Sequence, residues 1–470
     1  MRLNDIREQL KEAHLMGMGN LPVTGFSIDS RIIKPGELFF ALPGEKADGH
    51  QFVAAALQKG ACGAVVSRVP RDVAPELLNR AGLLVVPDPL RALQQLARAL
   101  RRQAGIPVVA VTGSNGKTTT KDLIASVLGT KYRVLKTQGN FNNEIGLPLT
   151  LLRLIRPHDI AVVEMGMRGL GQIKELCEIA LPNYGVITNI GVAHYELLGS
   201  QEKIAAAKGE LLDSLPDNGV AVLNRDDVYS VALGEKLAKK RPRLQVLYYG
   251  FHPEADVRAR HPVVAPGGVD FDLVVDGAAV KGFLPLFGEH NVQNALAAVA
   301  VGLVCGIPLA GCLQGLEETV ISDKRLARIP GIHDACIIDD TYNANPGSTV
   351  ASLRVLCALP GNRKIAVLGS MKELGTLAEE GHREVGREAA RLGIDFLFAV
   401  GEEARWVAQA AIDSGMQPAR VAWCPTKEEV IERLQVLLTK DDLVLVKGSR
   451  ALAMEEIVKG IAAFEGGTKG

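Results

Sequence analysis

Short apolar runs alternate with amphipathic stretches along almost the whole chain. Before about residue 90, runs such as GELFFALPG and GACGAVVS are broken by Gly, Pro and Asp turns, which predicts a small α/β unit. In PDPLRALQQLARALRRQAG, Leu90, Leu93, Leu96, Ala97 and Leu100 fall at helical spacing and Gly105 follows, predicting a connecting helix. From residue 107 to about 250, PVVAV, DIAVVEMG, YGVITNIG, GVAVLN and QVLYYG are continuously apolar and are separated by helical patterns such as DLIASVLG. Strands apolar on both faces predict a parallel sheet covered by helices on both sides.

Between 255 and 287 the pattern shifts to shorter alternating runs with Gly-rich turns, predicting antiparallel strands, and a helix over HNVQNALAAVAVGLVCG closes this region. After about 323, ACIIDD, KIAVLGS, DFLFAVG, RVAWCP and DLVLVKGS predict a five-strand doubly wound sheet. Ligands of such sheets sit beyond the carboxyl ends of the strands. Here those ends carry Asp339, Asp340, Ser370, Gly401 and the stretch Lys447, Gly448, Ser449, Arg450. The expected fold class is α/β in three domains, at 1–90, 91–322 and 323–470, and a chain of 470 residues is long enough for roughly three separate cores.

Composition adds limits. Hydrophobic residues make up 47% of the chain and aromatics only 4%, which suits α/β domains built on Val, Ile, Leu and Ala. Lys plus Arg and Asp plus Glu are equal at 53 each, so no excess of positive charge marks nucleic acid or an anionic membrane as the main partner. The seven cysteines are scattered without a C-x-x-C pair and read as reduced core thiols. The charged start MRLNDIREQLKEAHLMGMG lacks the apolar stretch of a signal peptide, and no segment offers about 18 uninterrupted apolar residues. The expectation is a cytoplasmic monomer without membrane insertion.

VTGSNGKTTTK follows the first strongly apolar strand of the central region. The strict phosphate-loop motif G-x-x-x-x-G-K-[ST] fails, because Val111 stands where its first glycine belongs. Gly113 and Gly116 still make a turn between strand and helix, with Lys117 and Thr118 at the helix start. That arrangement points backbone N–H groups and the helix dipole at an anion, with Lys117 on β/γ phosphates and Thr118 on Mg²⁺. Two further strands of the same sheet end near Glu164 and His194, and Glu164, Thr118, phosphate oxygens and waters form a donor set suited to Mg²⁺, with His194 an unusual additional ligand. Lys208 shares a helical face with Ile204, Leu211 and Leu212. It either extends its head to water or is buried and paired, deprotonated or modified. DDTYNANP ends a strand with groups that suit a ribose or base edge, or simply a turn.

Together these stretches resemble the Mur ligases of bacterial cell-wall synthesis, and among them the branch that adds a D-alanyl-D-alanine dipeptide. The matching stretches are SIDSRIIKPGELFFALPGEKADGHQFV, VTGSNGKTTTK, GNFNNEIGLPLTLL, VVEMGMRGLGQI, NIGVAHYELLGSQEKIAAAKGEL, GEHNVQNALAA, DDTYNANPGS, LGSMKELG and VKGSRALAMEE, in that order. The family's loop has the form T-G-[ST]-[NS]-G-K-T, without the early glycine. The resemblance implies an N-terminal UDP-binding domain, a central ATP-binding domain and a C-terminal Rossmann-like domain.

It further implies that Thr112, Gly113, Ser114, Asn115, Gly116, Lys117 and Thr118 hold ATP with Asn291 and Asn294 on the adenine side. Arg325, Asp340, Tyr342 and Asn343 are implied as the third domain's half of that site. Asp29, Ser30, Arg31 and Asn140 are implied as contacts of the UDP-linked substrate, and Lys447, Ser449 and Arg450 as contacts of the dipeptide. Lys117, Asn143, His194 and Lys208 form the implied catalytic set. Lys208 is implied to be carbamylated, becoming an anion that ligates a second Mg²⁺ beside Thr118, Glu164 and His194. Two positions depart from the family pattern: Lys324 where relatives have Gly, and Ser370 where they have Asp.

The implied reaction transfers the γ-phosphoryl of ATP to the carboxylate of UDP-N-acetylmuramoyl-tripeptide, and the amine of D-alanyl-D-alanine then displaces phosphate. Three rivals are a ligase adding the third amino acid, whose D-Y-A-H-T-P and D-N-P-R signatures are missing, folylpolyglutamate synthetase, which lacks the first domain, and a nucleotide-binding regulator without catalysis.

Overall fold

The apolar runs become strands of three sheets in the computed structural model of the chain, which describes residues 1–44, 47–71, 73–320 and 325–463. The first sheet holds β1 (His14–Gly17), β2 (Gly25–Ser27), β3 (Glu37–Phe40), β4 (Gly63–Val66) and β5 (Gly82–Val85), in the order β1-β5-β4-β3-β2. All neighbours are parallel except β1 and β5.

The connecting helix is Pro89–Ala104. Asp88 caps it by accepting from the N–H groups of Leu90 and Arg91, Pro89 occupies its first turn, and Gly105 closes it at φ 63°. Its apolar face, including the fully buried Leu93 and Leu96, joins Leu38 and Phe40 of the first domain to Val108, Ala110 and Val163 of the second in one core. Truncating either leucine to Ala removes about 2–5 kcal/mol of stability at such a site.

The second sheet has nine strands: β6 (Val108–Thr112), β7 (Val134–Lys136), β8 (Ile160–Glu164), β9 (Tyr184–Ile187), β10 (Val220–Asn224), β11 (Gln245–Gly250), β12 (Val257–Ala265), β13 (Gly268–Val275) and β14 (Ala278–Leu284). The order is β14-β13-β12-β11-β10-β9-β6-β8-β7, so β6 lies between β8 and β9. The parallel and antiparallel parts share an edge, where β11 and β12 pair in parallel over Tyr249↔Val257 and Gly250↔Arg258. Helices Lys117–Gly129 and Glu289–Val304 cover the face that carries Val109 and Val111.

The third sheet contains the five expected strands, β16 (Cys336–Asp340), β17 (Lys364–Gly369), β18 (Phe396–Val400), β19 (Val421–Cys424) and β20 (Leu443–Lys447). It also gains an antiparallel edge strand, β15 (Ala327–Pro330), which the pattern missed because it is short and half exposed. The order is β15-β16-β20-β17-β18-β19. Of the cysteines, Cys62, Cys177, Cys312 and Cys424 are buried and all seven are free thiols. Among the described residues no helix is long and apolar enough to cross a membrane.

Candidate active site

Val111 is fully buried within β6, so the missing glycine of the strict motif is a core side chain. The two glycines that remain are required by contact. A Cβ on Gly116, which sits at φ 80°, would lie 2.5 Å from Asn294 Oδ1, and one on Gly113 would lie 1.8 Å from Thr188 Oγ1. The loop then opens the helix Lys117–Gly129. Lys117 Nζ donates to Gly113 O at 2.8 Å, and Lys208 Nζ, from the helix Gln201–Asp213, donates to the same carbonyl at 2.9 Å.

Lys208 is only 2% exposed, so it does not extend to water. Burial pushes its ammonium well below the ordinary lysine range, and Lys117 adds to the fall. Burial also lowers Lys117, opposed by the Glu164 charge and reinforced by Arg325.

The strand order sets what surrounds the loop. Glu164 ends β8 on one side of β6, and the segment after β9 carries His194 on the other. Glu164 is 1% exposed; its Oε1 accepts from Asn142 Nδ2 at 2.7 Å, and its Oε2 is buried without a hydrogen-bond partner among the described residues. Gly191 N–H donates to Ser114 Oγ at 2.8 Å and Ile190 N–H to Asp227 Oδ2 at 2.7 Å, which fixes the segment leading to His194. His194 adopts φ 65°, and its Nδ1 lies 2.7 Å from Glu373 Oε2. Nδ1 is buried, and among the described residues it has no hydrogen-bond partner beyond this ion-pair contact. Burial holds the imidazole below its ordinary value, Glu373 pulls it back up, and Lys117 and Lys208 add to the lowering.

Across the cleft, the register of β16 and β20 sets Asp340 beside Lys447, whose Nζ reaches Asp340 Oδ2 at 2.5 Å and Asn343 O at 3.0 Å. Ser352 Oγ donates to the same carboxylate oxygen at 2.6 Å. The Arg325 guanidinium lies 4.2 Å from the Tyr342 ring centroid and donates to Thr118 Oγ1 at 2.9 Å. Asn345 Nδ2 donates to Asn115 Oδ1 at 2.7 Å, a second direct bond between the two halves. Ser449 Oγ accepts from Lys372 N–H at 2.8 Å, and Arg450 pairs with Glu455 at 2.6 Å.

Between the halves is a cleft of about 1560 Å³. Of the residues singled out in the sequence, Ser114, Asn115, Gly116, Lys117, Thr118, Asn140, Asn143, Glu164, His194, Asn291 and Asn294 line it from the second domain. Arg325, Asp340, Tyr342, Asn343, Lys447, Ser449 and Arg450 line it from the third. Asn143 Oδ1 also accepts from Gly146 N–H at 2.9 Å, at the start of the helix Gly146–Leu152.

The structure places the other expected residues as follows. Thr112 is fully buried, its hydroxyl donating to Met165 O at 2.9 Å, so it ties β6 to its neighbour. Gly113 and Lys208 lie behind the cleft wall. Lys447 lines the cleft with its ammonium engaged by Asp340 and Asn343. Asp29, Ser30 and Arg31 form one self-paired turn in the first domain, outside this cleft: Arg31 forks onto Asp29 at 2.7 Å and Ser30 O accepts from Lys59 Nζ at 2.9 Å. Ser370 is buried and accepts from Ala404 N–H at 3.1 Å, and Lys324 lies outside the described residues.

Asn142, Asn345 and Glu373 were missed. Each stood inside a quoted stretch, but only the strand order shows which side chains meet across it.

The donor set can be tested for Mg²⁺. Among the described residues no three His, Cys, Asp or Glu side chains cluster as a metal cage. The unpaired, buried Glu164 Oε2 and the Thr118 hydroxyl, both lining the same cleft as Lys117, fit an ion completed by phosphate oxygens and waters.

Residues 22–101 match the Mur ligase family catalytic domain, 111–302 the Mur ligase middle domain and 324–450 the Mur ligase glutamate ligase domain. The UDP-N-acetylmuramoyl-tripeptide–D-alanyl-D-alanine ligase of Bacillus subtilis (strain 168) is 39% identical over 93% of this chain and 93% of its own. A crystal structure of MurF from Acinetobacter baumannii superimposes with a TM-score of 0.85 at 33% identity, covering 97% of both chains. The MurF ligase of Thermotoga maritima in complex with ADP superimposes at 0.79, with 29% identity over 94% of this chain and 98% of that one. Likeness of this extent, running through all three sheets and both halves of the cleft, means that the chain belongs to the Mur ligase family.

Proposed function

We propose that the protein is an ATP-dependent amide-bond ligase of peptidoglycan precursor synthesis that joins D-alanyl-D-alanine to UDP-N-acetylmuramoyl-tripeptide. The observation that carries this reading is the convergence on one cleft of the phosphate loop, Glu164 and His194 from one sheet with the strand-end residues Asp340 and Arg450 from another. A γ-phosphoryl transfer between two anions needs positive charge and positioning more than covalent help.

Lys117 and the helix start at Thr118 hold the phosphates, and Lys117 neutralises charge as the γ-phosphoryl moves to the peptide carboxylate. Thr118, Glu164 and His194 would hold Mg²⁺, which would supply charge neutralisation at the phosphates. Lys208 and Lys117 share one carbonyl, and no carboxylate pairs with Lys208 in the described residues. A carbamylated Lys208 would replace that repulsion with an anion, which would supply a ligand for a second Mg²⁺. Asn291 and Asn294 face the adenine side, and Asp340, held by Lys447 and Ser352, suits the ribose hydroxyls. Asn140 and Asn143 lie toward the peptide, Asp29, Ser30 and Arg31 take the UDP end, and Ser449 and Arg450 take the dipeptide. The third domain keeps water from the acyl phosphate until the amine attacks its carbonyl carbon, phosphate leaves, and the nitrogen gives up its proton.

Phosphate release from ATP with UDP-tripeptide tests the reading, comparing D-alanyl-D-alanine with single amino acids. Release is expected only with the dipeptide; release supported by a single amino acid overturns the reading. Running the assay with lysine- and diaminopimelate-containing tripeptides identifies the third residue accepted.

A further inference from the structure

The segment that follows β17 is clamped at three consecutive residues. Ser370 Oγ accepts from Ala404 N–H at 3.1 Å, Met371 N–H donates to the buried His382 Nε2 at 2.9 Å, and Lys372 N–H donates to Ser449 Oγ at 2.8 Å. The Lys372 ammonium is tied to Glu403. The next residue, Glu373, takes the left-handed conformation at φ 64°, uncommon for a residue with a long side chain. Rigid anchoring followed by one strained residue marks a side chain that is being aimed.

Its target lies in the other domain. Glu373 Oε2 is 2.7 Å from His194 Nδ1, and the backbone reinforces the approach, since Glu196 N–H donates to Glu373 O at 3.2 Å. Two residues on, Gly375 packs on Glu196 so closely that a Cβ would fall 3.0 Å from its Cα. His194 itself sits at φ 65°, so both partners hold unusual backbone at the point where they meet. His194 Nδ1 is buried, and among the described residues no other group accepts from it.

We infer that Glu373 is a positioning residue for the ligation reaction, a carboxylate delivered by the third domain that fixes the orientation and tautomer of His194 in the cleft. A hydrogen from Nδ1 to the carboxylate leaves Nε2 as the lone-pair nitrogen, the form in which an imidazole serves a metal or a phosphate-bound water. The contact joins the two domains within the cleft that both residues line. Closure of the third domain and readiness of the second domain's site are thereby one event. This inference rests on the ligase reading of the cleft.

Two substitutions separate aiming from simple packing. Glu373→Asn keeps a residue tolerant of the left-handed backbone but withdraws the carboxylate, and Glu373→Gln keeps the reach and an accepting oxygen without the charge. In the phosphate-release assay, Glu373→Asn is expected to lower kcat by about 10–100-fold while the KM for ATP moves by less than about threefold, and Glu373→Gln to recover most of the loss. Nitrogen-15 shifts of the His194 ring, measured on metal-free protein, are expected to report Nδ1–H in the wild type and a tautomer mixture in Glu373→Asn. An unchanged tautomer in Glu373→Asn, or unchanged kcat, overturns the inference. If the wild type releases no phosphate with the dipeptide, the ligase reading fails by itself, and the ring shifts still decide whether Glu373 orients His194.

Discussion

The two walls of the cleft handle charge in opposite ways. Charge on and just behind the second-domain wall is uncompensated: two lysines share the Gly113 carbonyl, and Glu164 keeps a buried oxygen without a partner among the described residues. On the third-domain wall, Asp340 is met by Lys447 and Ser352, Arg450 by Glu455 and Lys372 by Glu403. An unpaired buried charge is costly unless something arrives to meet it, so the first wall is built to receive ions and the second to hold still. Chemistry belongs on the unsatisfied side and geometry on the satisfied one.

Substitutions that separate activity from stability test this division. Lys117→Ala is expected to lower kcat by about 10²–10³-fold with the thermal midpoint hardly moved, measured by phosphate release and by melting. Lys447→Ala on the other wall is expected to remove about 3–5 kcal/mol from the third domain in urea unfolding, because it strands a buried carboxylate. If the two variants exchanged these effects, the division would be wrong.

Asn345 belongs to both walls. Its Oδ1 caps the helix Pro346–Ala358 by accepting from Ser348 N–H, while its Nδ2 bonds Asn115. Asn345→Ala is expected to remove about 1 kcal/mol from the third domain through the lost cap, and to raise the KM for ATP as the loop loses its brace.

The smallest effect concerns His290, which lines the cleft with Asp340 and Lys447 and is pushed down from 6.5 to about 4, chiefly by burial. The unfolded chain binds the proton first, so the stability contributed by neutral His290 is complete above pH 6.5 and is lost progressively as pH falls to about 4. Subtracting the acid unfolding curve of His290→Gln from that of the wild type should leave a difference confined to that window.

Much of this was legible in local pattern. Strands buried on both faces announce themselves as unbroken Val, Ile and Leu, and β6, β8 and β20 did so. The strand, turn, Lys117 and Thr118 came in the right order, and Lys208 stood out as a lysine on an apolar stripe. Its partner did not, because the Gly113 carbonyl lies 95 residues away and meets it only through the packing of the helix Gln201–Asp213 on the loop. Asn142 and Glu373 were hidden for the same reason: adjacency across a sheet or a domain boundary is set by strand order and docking, which no short window of sequence contains. The edge strand β15 escaped because four half-exposed residues carry too little periodicity to separate strand from loop.

The pairing of Asp340 with Lys447 has a meaning beyond the cleft. Strands β16 and β20 are buried along almost their whole length, so no alternation of inside and outside tells them how to align, and a slip by one residue would still set Ile337 and Ile338 against apolar residues of β20. The charged pair at their shared end breaks that degeneracy, since any other alignment strands a carboxylate and an ammonium in the interior. The ion pair is thus a key for strand register during folding, and the placement of the active-site residues at the ends of these strands follows from it.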